Sequence, residues 1–219
     1  MNIQFLDSPT QSIYKAGWSP RIRRTEGKPL ELTYKKRYPI TAEDIDAALA
    51  AANADGFDAS DTKYEAQVEW GYTKMTLSIS RNKKLKDTAE AGAGSLALPD
   101  AGKSRKILIE EAPGKFKDAR GQDGWGVTAL KEARIYGPIL AERYSGVSPG
   151  EGGVNVDVEV WPIMIKDEGR LEYVTELSFK AESKGEGGPV RDGLIELLTG
   201  KGWLCPADSL KTQLIMENY

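Results

Sequence analysis

Charged and apolar side chains alternate along several separate stretches of this chain, and that pattern narrows its fold more than any other feature. In an extended strand, residues i, i+2 and i+4 share a face. Arg21 and Arg23 therefore point one way, as do Glu31, Thr33 and Lys35, while Leu30, Leu32 and Tyr34 point the other. The pattern returns at 64–72, where Glu65, Gln67 and Glu69 oppose Ala66, Val68 and Trp70. It is clearest at 154–163, where Val154, Val156, Val158 and Val160 alternate with Asn155, Asp157 and Glu159. At 172–181, Glu176, Ser178 and Lys180 lie opposite Thr175, Leu177 and Phe179. Turn signals at Glu26-Gly27-Lys28 and Glu168-Gly169 make neighbouring strands antiparallel. Periodicity alone fits a plain hairpin surface with one wet face equally well.

The remaining segments read as follows. Ile3–Leu6 is an opening strand ended by Asp7-Ser8-Pro9, and residues 10–18 form a short helical turn. Thr41 caps a helix to Asn53, with Ile45, Ala48, Leu49 and Ala52 on one face. Lys106–Glu111 and Leu140–Ser145 are strands, and Thr128–Ile135 is a helical turn. Val190–Leu198 is a helix closed by Gly200, and Asp208 or Ser209 caps a last one carrying Leu210, Leu214 and Ile215. Residues 82–103 and 112–126 are surface excursions. Gly102-Lys103-Ser104 is not a phosphate loop, because Ala97 stands where the required glycine belongs. The expected class is α+β, a single domain over 1–219, with an antiparallel barrel of about eight strands and flanking helices. Closure into a barrel would remove exposed strand edges.

Composition excludes much of the chemistry. The chain has no histidine and one cysteine, Cys205, so histidine catalysis, thiolate clusters and internal disulfides are all ruled out. Cys205 reads as a small buried residue. A metal here must take oxygen ligands. A net charge of −3 gives no broad basic footprint, so nucleic acid is not an expected partner. No run of roughly 18 apolar residues argues for a membrane span, and no leader pattern opens the chain, so the expected location is cytoplasmic.

If the polar strand faces turn inward, both signs of charge share a low-dielectric space. That is costly unless the charges pair or bind ions. A polyanion accompanied by a divalent cation would satisfy both sets, with Arg and Lys on phosphate oxygens and carboxylates on the metal.

The sequence also resembles a known group. Asp7-Ser8-Pro9 after a first strand, Ser19-Pro20-Arg21-Ile22-Arg23 and then Leu32-Thr33-Tyr34-Lys35 are similar, in order and spacing, to motifs of the CYTH superfamily. These are the adenylate cyclase and thiamine triphosphatase-like triphosphate tunnel metalloenzymes. The resemblance implies a tunnel in which Arg21, Arg23, Lys35, Arg143 and Lys211 bind phosphate, and the polar strand faces add Lys180. It implies Asp157, Glu159 and Glu176 as ligands of Mg2+ or Mn2+, with Glu159 and Glu176 catalytic, and the polar strand faces add Glu31 to the metal ligands. Lys211 belongs to a Ser209-Leu210-Lys211 element similar to a late Ser-x-Lys of the group. The implied activity is metal-dependent hydrolysis of a triphosphate or other phosphoanhydride, with a small-molecule polyanion as partner and a homodimer compatible with it. The group's N-terminal Glu-x-Glu-x-Lys strand is absent before Phe5, and Ser178 stands where a second glutamate is common. The alternative is therefore a non-catalytic binder of nucleotide, polyphosphate or another anion.

Overall fold

A computed structural model describes residues 1–86, 95–148, 153–208 and 211–219. The chain opens with β1 (Asn2–Asp7), a short α1 (Ser12–Lys15), β2 (Trp18–Arg24), β3 (Glu31–Ile40) and α2 (Ile45–Ala54). There follow β4 (Glu65–Trp70), β5 (Met75–Lys84), α3 (Ala101–Glu110), α4 (Gly114–Lys117) and α5 (Trp125–Lys131). Then come β6 (Arg134–Leu140), β7 (Glu142–Val147), β8 (Asn155–Ile165), β9 (Arg170–Phe179), α6 (Lys184–Gly200) and α7 (Lys211–Asn218). Among the described residues the strands make a six-stranded sheet in the order β4-β5-β3-β2-β1-β6 and a three-stranded sheet, β7-β8-β9. Every ladder is antiparallel. The class is α+β, as expected.

The closed barrel is replaced by two sheets that meet at a corner. β6 belongs to the large sheet and β7 to the small one, and only Ala141 separates them. The Ala141 amide donates to the Met1 carbonyl at 2.9 Å, and the Met1 ammonium donates back at 2.8 Å. The Leu140–Ser145 strand of the sequence reading is thus two strands split by a change of sheet. On the opposite side no ladder joins β4 to β9 among the described residues. Lys180 and Glu65 approach there, at 4.0 Å.

The outer face of the large sheet is covered by helices. Trp18, Ile22, Leu32, Tyr34, Leu77 and Ile79 point that way and pack against Leu108 of α3, Phe116 of α4 and Leu130 of α5. Phe116 sits among aromatic rings, 5.3 Å from Trp18 and 5.2 Å from Tyr34 between centroids. This packing overturns several sequence expectations. Lys106–Glu111 is helical because the Asp100 carboxylate caps α3, accepting from the Lys103 amide at 2.9 Å, and because Ser104 and Leu108 then fall on one buried face. The stretch at 112–126 is no surface excursion, since the fully buried Phe116 lies within it. Nor is all of 82–103: β5 runs to Lys84, and Gln4 of β1 donates to the Pro99 carbonyl at 3.1 Å. Residues 87–94 of that stretch lie outside the described residues.

Helix starts moved for local reasons. Ala42 and Glu43 have φ of +51° and +59°, so Thr41 cannot open α2, and Asp44 caps it instead. α6 begins ahead of Val190 because Ser183 and Glu186 form a reciprocal cap: Ser183 Oγ accepts from the Glu186 amide, and Glu186 from the Glu182 amide. The start of α7, where Asp208 or Ser209 was expected to cap, borders residues outside the described ones, and the described contacts of Asp208 lie elsewhere. The Asp208 carboxylate accepts from the amides of Tyr72, Thr73 and Lys74, holding the β4–β5 turn. Ser209 and Leu210 lie outside the described residues. Cys205 is exposed rather than buried.

One position tests the packing on the helical side. A Cβ on Gly126, in α5, would fall onto the Phe116 carbonyl and within 2.8 Å of its ring. Gly126→Ala is expected to cost about 1–3 kcal/mol, because neither the carbonyl nor the packed ring can move aside. The readout is a lowered midpoint in chemical denaturation.

Candidate functional site

The inner faces of the two sheets meet across a space that is dry on one side and charged on the other. Trp161 and Ile163 of β8 pack against Ile3 and Phe5 of β1, Tyr136 and Ile139 of β6, and α7. The odd-numbered face of β8 therefore looks at the large sheet, and Glu159 and Asp157 share that face. On the large sheet, Ile3 pairs with Arg23 and Phe5 with Arg21; Arg23 in turn pairs with Glu31, and Ser19 with Lys35. Cross-strand partners share a face, so one row of residues passes from apolar to charged between β1 and β2. β1 is where the resemblance would place acidic residues. It presents Ile3 and Phe5 instead.

The charged half is laced with ion pairs. Arg23 bonds Glu31. Lys35 donates to Glu69 at 2.5 Å, and Arg37 lies 3.6 Å from the other Glu69 oxygen. Burial works against the charge on Glu69, yet Lys35 and Arg37 outweigh it and hold its carboxyl below the usual range. From the small sheet, the Arg143 guanidinium grips one oxygen of Glu159, its Nε at 2.8 Å. Lys211 of α7 donates to the other oxygen at 2.5 Å and to Glu176 at 2.8 Å. Trp161 Nε1 adds a bond to Glu159 at 2.9 Å, and Lys211 sits 4.5 Å from the centre of the Trp161 ring. Burial alone would raise the Glu159 carboxyl, but Lys211 and Arg143 together bring it down to about 2.

Arg21 is the outlier. Burial pulls its guanidinium down, and the like charges of Arg23 and Arg37 add to that, reaching about 10. Glu31 on the large sheet and Glu159 on the small one both stabilise its charge, and its parity with Arg23 puts Arg21 on the inner face of the large sheet. Its Nε is buried with no hydrogen-bond acceptor. Across from Arg21 on β3 is Thr33, whose hydroxyl donates to Asn82 at 2.8 Å. The residue directly across from it on β1 is Phe5, which offers no oxygen.

Of the residues expected at a site, Arg21, Arg23, Glu31, Arg143, Glu159, Glu176 and Lys211 come together around this space, with Lys35 one step along it. Asp157 stands at its edge, held by Ser145 at 2.5 Å and 3.9 Å from Arg143. Lys180 does not join them, its side chain being 85% exposed at the β4–β9 seam. Leu32 and Tyr34 face the helices, as parity requires. The sequence reading missed Arg37, which has the parity of Lys35 two residues on, and Trp161, which has the parity of Glu159. A cavity of about 280 Å³ opens onto this space, lined by Arg23, Lys28, Glu31, Lys84 and Arg143.

A divalent cation does not fit this arrangement. Each oxygen of Glu159 already accepts from a cation, Glu31 and Glu176 are each bound by one, and Asp157 is bonded to a hydroxyl. Among the described residues, no three carboxylates stand close enough together to hold a metal.

No family model matches the chain, and no curated protein matches it. In structure it is similar to a putative adenylyl cyclase from Hippeastrum described as revealing a dominant triphosphatase activity. The TM-score is 0.51 at 11% identity, over 99% of this chain and 82% of that one. The fold is of the CYTH type. At that identity the likeness concerns the fold alone. In this chain the inner face carries cations on β2 and β3 and apolar residues on β1. No helix among the described residues is long and apolar enough to cross a membrane.

Proposed function

We propose that the charged half of the inter-sheet space binds a phosphorylated small-molecule polyanion, and that it does so as a binding site rather than as a metal-dependent enzyme. The observation that carries this reading is Arg21: a guanidinium on the same inner strand face as Arg23, whose buried Nε has no acceptor. A half-buried cation whose Nε is shut off from water costs stability unless something bonds it, and a phosphate oxygen is the matching partner. Arg23 and Arg143 line the adjoining cavity and would present two further guanidinium forks.

Calorimetry with tripolyphosphate, ATP and sulfate tests the reading. The expected result is saturable binding that strengthens with the number of phosphates and weakens as salt is raised. Absence of binding to all three would overturn it.

Metal-dependent hydrolysis of a triphosphate is a second reading, and one observation favours it: the fold shared with a protein described as a triphosphatase. The carboxylates that would hold Mg2+ or Mn2+, Glu31, Glu159 and Glu176, are paired to cations here. Phosphate release from tripolyphosphate or ATP that requires Mg2+ or Mn2+ and stops with chelator would favour this reading over the first.

A further inference from the structure

We infer that Glu159 is a built-in counter-anion of the binding site, which a phosphate group of the ligand displaces from Arg143 and Lys211 without any metal between them. This rests on the polyanion-binding reading and adds to it how the ligand gains entry and what limits its affinity. Glu159 is only 5% exposed, whereas its partner Arg143 keeps 41% of its side chain open and lines the cavity. The same guanidinium therefore meets the incoming ligand and holds the carboxylate. Four donors converge on the two oxygens of Glu159: Arg143 Nε and Nη2 on Oε1, Lys211 Nζ and Trp161 Nε1 on Oε2. That is the donor set an oxyanion of a phosphate group would need, already occupied by an oxyanion of the chain.

Displacement has a defined route. Lys211 already divides itself between Glu159 and Glu176, so it can leave one without losing every partner. Trp161 Nε1 stays on Glu159 and keeps one bond on the displaced carboxylate. A tethered carboxylate competes at a high effective concentration, so it holds affinity for the ligand down. In a metal site the same glutamate would assist the anion through a bridging cation, and its removal would weaken binding. The two roles predict opposite signs.

The experiment titrates the full chain with tripolyphosphate by calorimetry, in EDTA and again without it, for the wild type and Glu159→Gln. Glutamine keeps the shape and the bond from Trp161 while deleting the charge. The expected result is binding by the wild type in EDTA and binding about tenfold tighter or more by Glu159→Gln. Wild-type binding with an unchanged or weaker Glu159→Gln overturns the inference and leaves the binding reading standing, as does wild-type binding that disappears in EDTA but is present without it. No binding by either protein, with or without EDTA, overturns both. Should Glu159→Gln fail to fold, the wild type answers alone. Its Trp161 indole N–H signal in NMR, assigned by Trp161→Phe, is expected to shift as tripolyphosphate saturates the protein. A signal that stays fixed while the ligand binds overturns the inference.

Discussion

Arg21→Met is expected to lower affinity for tripolyphosphate by about a hundredfold while leaving the protein as stable as the wild type or more so. Both halves of this result follow from one geometry. A charge-assisted hydrogen bond inside a partly dehydrated site is worth about 1.5–3 kcal/mol, and the upper part of that range is about a hundredfold in affinity. Without ligand, the same guanidinium is a liability. Burial and the neighbouring Arg23 and Arg37 disfavour its charge, and its Nε finds no acceptor. Replacing this poorly compensated, half-buried charge with an apolar side chain of similar length is expected to be neutral or to gain up to about 1 kcal/mol. Calorimetry and thermal melting, run on the same preparations, measure the two effects. A variant that binds as tightly as the wild type would place the ligand elsewhere. One that loses binding only because it melts early would make Arg21 structural.

What the sequence could tell about this site follows the physics of each signal. Strand parity needs only the period of two, so it correctly put Arg21, Arg23, Glu31 and Lys35 on one face and Leu32 and Tyr34 on the other. The Arg23–Glu31 pair was within reach for the same reason, because a hairpin turn at 26–28 fixes its register. Lys35 with Glu69, and Lys211 with Glu159, bridge 34 and 52 residues of chain, and no local pattern encodes such a meeting. β1 was opaque in another way. From Ile3 to Asp7 it is buried on both faces, so alternation could not say that Ile3 and Phe5 would close the space between the sheets. At Lys106–Glu111 a short apolar run fitted helix and strand alike, and Asp100, six residues upstream, decided it. Barrel closure depends on how two edge strands, β4 and β9, meet in space, and their sequences hold no register for each other.

Trp161 stands at the boundary between the dry and the charged halves, which is why its truncation is expected to be the most damaging single change in the small sheet. Its ring is 4% exposed and packs with Ile3, Phe5, Ile139 and Ile163, while its Nε1 bonds Glu159 and its face carries Lys211. Trp161→Ala removes the packing, opens a cavity between the sheets and strips a donor from a buried carboxylate, so a loss of about 3–5 kcal/mol is expected. Trp161→Phe separates these contributions. It keeps an aromatic ring in the apolar contact and deletes the indole N–H along with the second ring, with an expected cost of about 1–3 kcal/mol. The two variants therefore differ chiefly in how well the β1 side of the inter-sheet space stays filled. Denaturant titrations of both give the comparison. Equal, small losses would mean that Ile3 and Phe5 collapse into the gap unaided, and that the dry half does not depend on Trp161. A large loss in Trp161→Ala alone would tie the apolar half of the space to this one ring, the same ring whose indole N–H and face hold Glu159 and Lys211 in the charged half.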